Sequence, residues 1–310
     1  MRVLFWGTPD FALPSLRALT GEGHDVVGVV TRPDRPAGRG RELRASPVKQ
    51  AALEEGLPVL EPEAPRGEEF EAAVRELDPE ISVVVAYGHI LKPRILEIPP
   101  RGSINVHASL LPRLRGAAPV NWAVIRGHET TGVTVMRMVE AMDAGPVIHQ
   151  VEVPIEENER ASDLYVRLSE LGAEALVAAL ALMEAGAAEE TEQDHDRATY
   201  APKLDREDAR IDWSLDAPAV ADWIRGLDSV PGGWSPLEGE NVKLFRPMPL
   251  PDPPGGEPGE ILRADPREGL VVACGSGAVE IREVQPPGKR RMEAEAWIRG
   301  RGCKEGQRFG

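Results

Sequence analysis

The sequence predicts an α/β doubly wound domain on a mostly parallel sheet, followed by a small all-β barrel domain. Continuous Val/Ile-rich runs recur at 2–7, 25–31, 81–86 and 102–107 with helical patterns between them, as in strands buried on both faces. From Ile211 onward, short alternating segments lie between Gly and Pro clusters, the pattern of a barrel or sandwich. A length of 310 residues exceeds one small domain and falls short of three. The chain accordingly divides into 1–186, a polar linker at 187–205, and a second domain at 206–310.

Residues 2–7 end at Gly7-Thr8-Pro9, a strand followed by a turn. Asp10 is placed to cap the next helix, which carries Leu13, Leu16 and Leu19 at helical spacing. After the strand 25–31 comes a Pro/Gly/Arg loop at 32–44, then a helix from about Pro47 to Glu55. A helical stretch at 67–77 precedes the strand 81–86, and a long Ala/Leu helix spans 162–186, ending at Gly186. In the second domain, strands are expected at 242–245, 269–274 and 278–284. Six prolines and two glycines between Pro247 and Pro258 argue against a helix or central strand there.

Apolar residues make up 42% and charged residues 28%, a mixture that buries a core and excludes wholesale disorder. No apolar run reaches the ~20 residues that span a bilayer, and the N-terminus meets a charge too early for a secretory signal. Two cysteines cannot form a disulfide framework in a chain of this size, which points to the cytoplasm. The net charge of −15 opposes a nucleic-acid partner at first sight. Its distribution does not. The window 32–49 holds six basic and two acidic residues, and 282–310 holds eight and four, each a local +4 island.

Gly7-Thr8-Pro9-Asp10-Phe11-Ala12 lacks the G-x-G-x-x-G of a dinucleotide site. Histidines 24, 89, 128, 149 and 195 show no metal-ligand spacing, and no G-x-S-x-G elbow is present. The sharper signal runs from Ser103 to Pro119. On a strand, Asn105 and His107 project from the same side. An amide donor beside an imidazole suits stabilisation of an oxyanion with a proton carrier adjacent. A hydrogen-bonded core pair is the other reading of the same residues. Asp143, in Asp143-Ala144-Gly145, is either a turn residue or a carboxylate that sets the protonation of His107.

Gly7–Ala12, Arg32–Gly40, Ala86-Tyr87-Gly88, Asn105–Pro119, Asp143–Gly145 and Ala209–Ser214 together resemble the methionyl-tRNA formyltransferases, in the family's order and over nearly the whole chain. The Asn105–Pro112 block with a later Asp is shared by folate-dependent formyltransferases in general. The arginine loop and the β-domain are similar to the tRNA enzymes. A related folate-dependent enzyme acting on a nucleotide or amino-sugar amine is the alternative. The resemblance implies a formyltransferase-type, Rossmann-like first domain and an oligonucleotide-binding-like barrel. It implies formyl transfer from 10-formyltetrahydrofolate to the methionine amine of initiator Met-tRNA, with no metal, no membrane and no obligate protein partner. It assigns catalysis to Asn105, His107 and Asp143, and folate binding to Ser109, Leu110, Leu111, Pro112, Tyr87 and Gly88. Phe11 would border the methionyl side chain, and Arg39, with Arg35 and Arg41, would contact the tRNA.

Overall fold

The computed structural model describes residues 1–37, 42–250 and 255–310. Two compact units emerge. One comprises Met1–Gly116, Thr130–Pro154 and Tyr165–Ala201; the other comprises Ala117–Glu129, Ile155–Leu164 and Pro202–Gly310. The segment 187–205, expected as a linker, is thus divided, joining the first unit through Ala201 and the second from Pro202.

In chain order the elements are β1 (Arg2–Gly7), α1 (Leu13–Gly21), β2 (Asp25–Val30), β3 (Arg35–Ala37), β4 (Glu42–Arg44), α2 (Pro47–Glu54) and β5 (Val59–Leu60). They continue with α3 (Glu68–Glu76), β6 (Ile81–Val85), α4 (Pro93–Leu96), β7 (Ser103–His107), α5 (Pro119–Ile125), β8 (Thr130–Arg137), β9 (Val147–Pro154) and α6 (Ala161–Glu184). Seven strands form one sheet in the order β5-β2-β1-β6-β7-β8-β9. The first five are parallel, and β8 and β9 are added antiparallel.

The Val/Ile runs form these strands because both faces are covered. On one face Leu4, Trp6 and Val84 pack with Val74 of α3 and with Ile95 and Leu96 of α4. On the other, a Cβ at Gly172 of α6 would meet Val106 at 3.1 Å and Val133 at 3.8 Å. Strand order reverses between β1 and β6, so their carboxyl ends open the crevice where sheets of this kind take ligands. The loops after β1 and β6 are tied there: Thr8 Oγ1 donates to Tyr87 O at 3.0 Å. One local expectation fails. Asp10 lies in a short 3-10 turn, and α1 is capped at Ala12 without a side-chain bond. Ser46, by contrast, caps α2 by accepting from Lys49 N.

The second unit adds α7 (Ala217–Gly226), β10 (Trp234–Leu237), β11 (Glu240–Leu250), β12 (Ile261–Asp265), β13 (Gly269–Ala273), β14 (Ala278–Gln285), β15 (Met292–Glu293) and α8 (Ala294–Arg299). Its antiparallel sheet runs β10-β11-β14-β13-β12, with β15 beside β14. The last residues bridge both edges, Leu237 to Phe309 and Glu260 to Arg308. Helices α7 and α8 depart from the all-β expectation. Val220, Ala221 and Ile224 of α7, and Trp297 and Ile298 of α8, fill the sheet's core. Strand β11 also runs through Pro247 and Pro249. Beyond Lys243 it pairs with β14 alone, so the missing proline N–H groups fall on an open side.

Among the described residues, no helix is long and apolar enough to cross a membrane, and no three His, Cys, Asp or Glu residues gather as a metal site.

Candidate active site

Opposed residues on antiparallel strands share a face. His107 of β7 stands opposite Thr134 of β8, which stands opposite Gln150 of β9. Asn105 lies on the same face, two positions before His107, between Val84 and Met136. His107 is buried, and its Nε2 lies 2.9 Å from Leu114 O. A carbonyl only accepts, so Nε2 carries a hydrogen. Nδ1 faces Asp143, whose Oδ2 is 3.8 Å away, within ion-pair reach and too long for a hydrogen bond. The half-buried Asn105 amide has no protein partner among the described residues.

Asp143 reaches His107 from a backbone at φ 51°, a left-handed state rare for residues other than glycine. Its Oδ2 accepts from Gly116 N at 2.8 Å. Gln193 Nε2 donates to Asp143 O at 2.9 Å and Gly145 O at 2.7 Å. Gly145 has no room for a side chain, since a Cβ there would lie 2.0 Å from Arg137 O. The structure therefore brings Asn105, His107 and Asp143 to one sheet edge.

The loop after β7 is anchored from beneath. Thr134 Oγ1 donates to Ser109 O at 2.6 Å and accepts from Leu111 N at 3.2 Å. Gln150 Nε2 donates to that hydroxyl at 2.7 Å and to Leu111 O at 3.2 Å. Thr199 Oγ1 accepts from Leu114 N at 2.9 Å. Ser109 is buried and spends its own hydroxyl on Arg113 O, whereas Leu110 and Pro112 are half-buried. Leu111 is buried and joined to Pro112 by a cis bond. Across the crevice, Gly88 adopts φ 87°. Tyr87 is buried edge-on against Trp6, and burial pushes its hydroxyl up to about 12.

The formyl transferase family model matches residues 1–180, and the formyl transferase C-terminal domain model matches 203–302. The methionyl-tRNA formyltransferase of Symbiobacterium thermophilum is 47% identical over 310 residues, covering 100% of this chain and 95% of its own length. The chain belongs to the methionyl-tRNA formyltransferase family. The Bacillus licheniformis methionyl-tRNA formyltransferase is 43% identical across 100% of this chain and 98% of its own. Among solved structures, HypX from Aquifex aeolicus in complex with tetrahydrofolic acid shares the fold. Its TM-score is 0.66 at 21% identity, covering 96% of this chain and 47% of that one.

Other family-matched residues have more varied settings. Phe11 is buried against Tyr165 at 5.0 Å between ring centroids, and Tyr165 Oη accepts from Phe11 N. Arg35 is exposed on β3 and forms no ion pair among the described residues. Arg39 and Arg41 lie outside the described residues. Lys49, in the same basic island, is neutralised by Asp34 at 2.8 Å and Glu61 at 2.9 Å, and these partners raise its pKa. In the second island, Arg291 pairs with the buried Asp228 and with Glu283, and lies over Phe245. Lys243 and Arg206 line a separate groove of that unit with Asn241 and Gln285. Burial, then Arg206, lowers the Lys243 pKa.

Sequence reasoning missed Thr134, Gln150, Thr199, Arg115, Gln193 and Tyr165. All act across long separations in the chain. The available signal was weak: Gln193 and Thr199 sit in the polar stretch that reads as linker.

Proposed function

We propose that Asn105, His107 and Asp143 carry out the chemistry of this family. On the same proposal, the Ser109–Pro112 loop with Tyr87 and Gly88 holds the folate, and Phe11 borders the methionyl pocket. The reaction transfers the formyl group of 10-formyltetrahydrofolate to the α-amino group of methionine on initiator Met-tRNA, for translation initiation.

The residues present suit a folate. Among the described residues, three buried polar atoms around Gly88 lack a partner: Arg32 Nε, Tyr87 Oη and His89 Nε2. The apolar Ile90 next to them is 75% exposed. Unpaired polar atoms beside an apolar platform match a flat, polar-edged heterocycle. When bound, the folate supplies the formyl carbonyl. The free Asn105 amide donates toward the carbonyl oxygen as it becomes negative, and so does His107 Nδ1–H in the doubly protonated ring. With Nε2 committed to Leu114 O, Nδ1 is the atom that gains and loses this proton. Asp143, 3.8 Å from Nδ1, balances the imidazolium and accepts the proton that the amine sheds as the new C–N bond forms; a proton returns to the folate N10 as its bond to the formyl carbon breaks, so tetrahydrofolate leaves.

Arg35, Arg39 and Arg41 are proposed to neutralise phosphates near the acceptor end. In this division of labour the unit that includes Tyr165–Ala201 catalyses, and the unit that includes Pro202–Gly310 holds RNA. A cytoplasmic setting is supported by Cys274 and Cys303, both free thiols.

What carries the site assignment is the juxtaposition of an unpartnered amide, an oriented imidazole and a clamped carboxylate at one sheet edge. A formyl-transfer assay with charged initiator and elongator tRNAs tests it. Asn105→Ala and His107→Ala should each lower kcat by about 10²–10³-fold with tRNA affinity unchanged. Wild-type turnover in either variant overturns the assignment, and a preference for an amino-sugar nucleotide overturns the substrate.

A further inference from the structure

A buried polar chain links Arg115 to Asp143 and has no part in the chemistry above. Arg115 is 5% exposed and Gln193 7% exposed. Arg115 donates to Gln193 Oε1 from Nε at 3.2 Å and from Nη2 at 2.6 Å, and Nη2 also donates to His195 Nδ1 at 2.9 Å. A guanidinium has no acceptor, so two hydrogens fix Oε1 and with it the orientation of the amide. Nε2 must then point the other way, and its two hydrogens go to Asp143 O and Gly145 O. Every hydrogen-bonding position of the amide is filled. Among the described residues no carboxylate pairs with Arg115, so its charge polarises Gln193 and strengthens the two outgoing N–H donors.

We propose that Gln193 is a positioning residue for catalysis, holding the left-handed turn at Asp143 so that its carboxylate faces His107. This rests on the participation of Asp143 in the reaction. A non-glycine residue stays at φ 51° only while its surroundings hold it there. Two anchors do so. Gly116 N–H holds the carboxylate, and Gln193 holds the carbonyl. Both trace to Arg115: its side chain orients Gln193, and its backbone is tied to Thr199 O and Ala201 N next to Gly116. Loss of the Gln193 donors frees the carbonyl and lets the carboxylate swing from His107 while all three reacting side chains remain.

The test uses Gln193→Met, Gln193→Glu and Asp143→Asn in the full chain, alone and as double variants, with melting temperature measured for each. Glu keeps a partner for Arg115 and lacks both donors, so it separates positioning from simple satisfaction of a buried cation. Both Gln193 variants should lower kcat about 10–100-fold, as outer partners of functional groups do, with KM for both substrates little changed. In the Asp143→Asn background neither should cost more than about twofold further, since both changes remove one function. Wild-type kcat in Gln193→Glu overturns the proposal, as do losses that multiply fully in the Asp143→Asn background. Wild-type kcat in Asp143→Asn instead overturns the assignment of Asp143 itself and leaves no role to position.

Discussion

Thr131 and Thr134 lie three positions apart on β8, both buried, and valine replaces either without changing its shape. Thr134 Oγ1 serves Ser109 O, Leu111 N and Gln150 Nε2. Gln150 is exposed and recovers its bond from water. Ser109 O and Leu111 N belong to buried residues, and Thr134→Val orphans both at about 1–3 kcal/mol each. The sum is about 2–6 kcal/mol, centred near 4. For a unit of this size that lowers the melting temperature by roughly 8–16 °C. Thr131 Oγ1 has no partner among the described residues, so Thr131→Val removes an unpaired buried hydroxyl and should stabilise by about 1 kcal/mol. Calorimetry on the two variants reads both signs in one experiment, and steady-state kinetics follows the folate donor. KM for that donor should rise in Thr134→Val and stay constant in Thr131→Val. Equal melting temperatures, or a fall in both, would refute the view that the loop after β7 is held from beneath by this hydroxyl.

Burial, together with Asp216 in the case of Cys274, pushes the Cys274 and Cys303 thiols up to about 12. A thiol-specific chromogenic reagent at about pH 8 should therefore label neither in the folded chain and both in urea; rapid native labelling contradicts this. Burial, then Arg32 and Arg35, holds the His89 imidazole below its ordinary value, so the unfolded chain takes up the proton first. Stability should fall as the pH drops through about 6.5 and below. His89→Gln should flatten that slope in urea unfolding, and an unchanged slope would rule the contribution out.

The parallel strands were legible because a strand covered on both faces needs no alternation: Ile81–Val85 is fully buried and apolar except for Ser82, whose hydroxyl accepts from Trp6 Nε1. Strands β8 and β9 were not, since nothing near Thr130 in the chain specifies its pairing with Pro154. Helix α7 left a readable mark, the capping Asp216 followed by a first-turn proline, but it sat within a Pro/Gly texture that reads as strands and turns. In the site, Asn105 and His107 share a face by the two-residue period alone. The place of Asp143 depends on a turn folding back over Arg137, and that of Gln193 on a bond to a residue 50 positions away. Spacing encodes the first kind of relation and is silent on the second.

The closing segment of the second unit has a colloidal consequence. Gln307 O accepts from Ile261 N at 2.8 Å, Phe309 N donates to Gly259 O at 2.8 Å, and Gly310 N donates to Pro236 O at 3.0 Å. One short stretch thereby occupies the outward backbone groups of β10 and β12 together. Peeling it away would bare two adhesive margins at once while most of the apolar interior stayed intact. The damaged molecule would then find other copies of itself before it lost its shape.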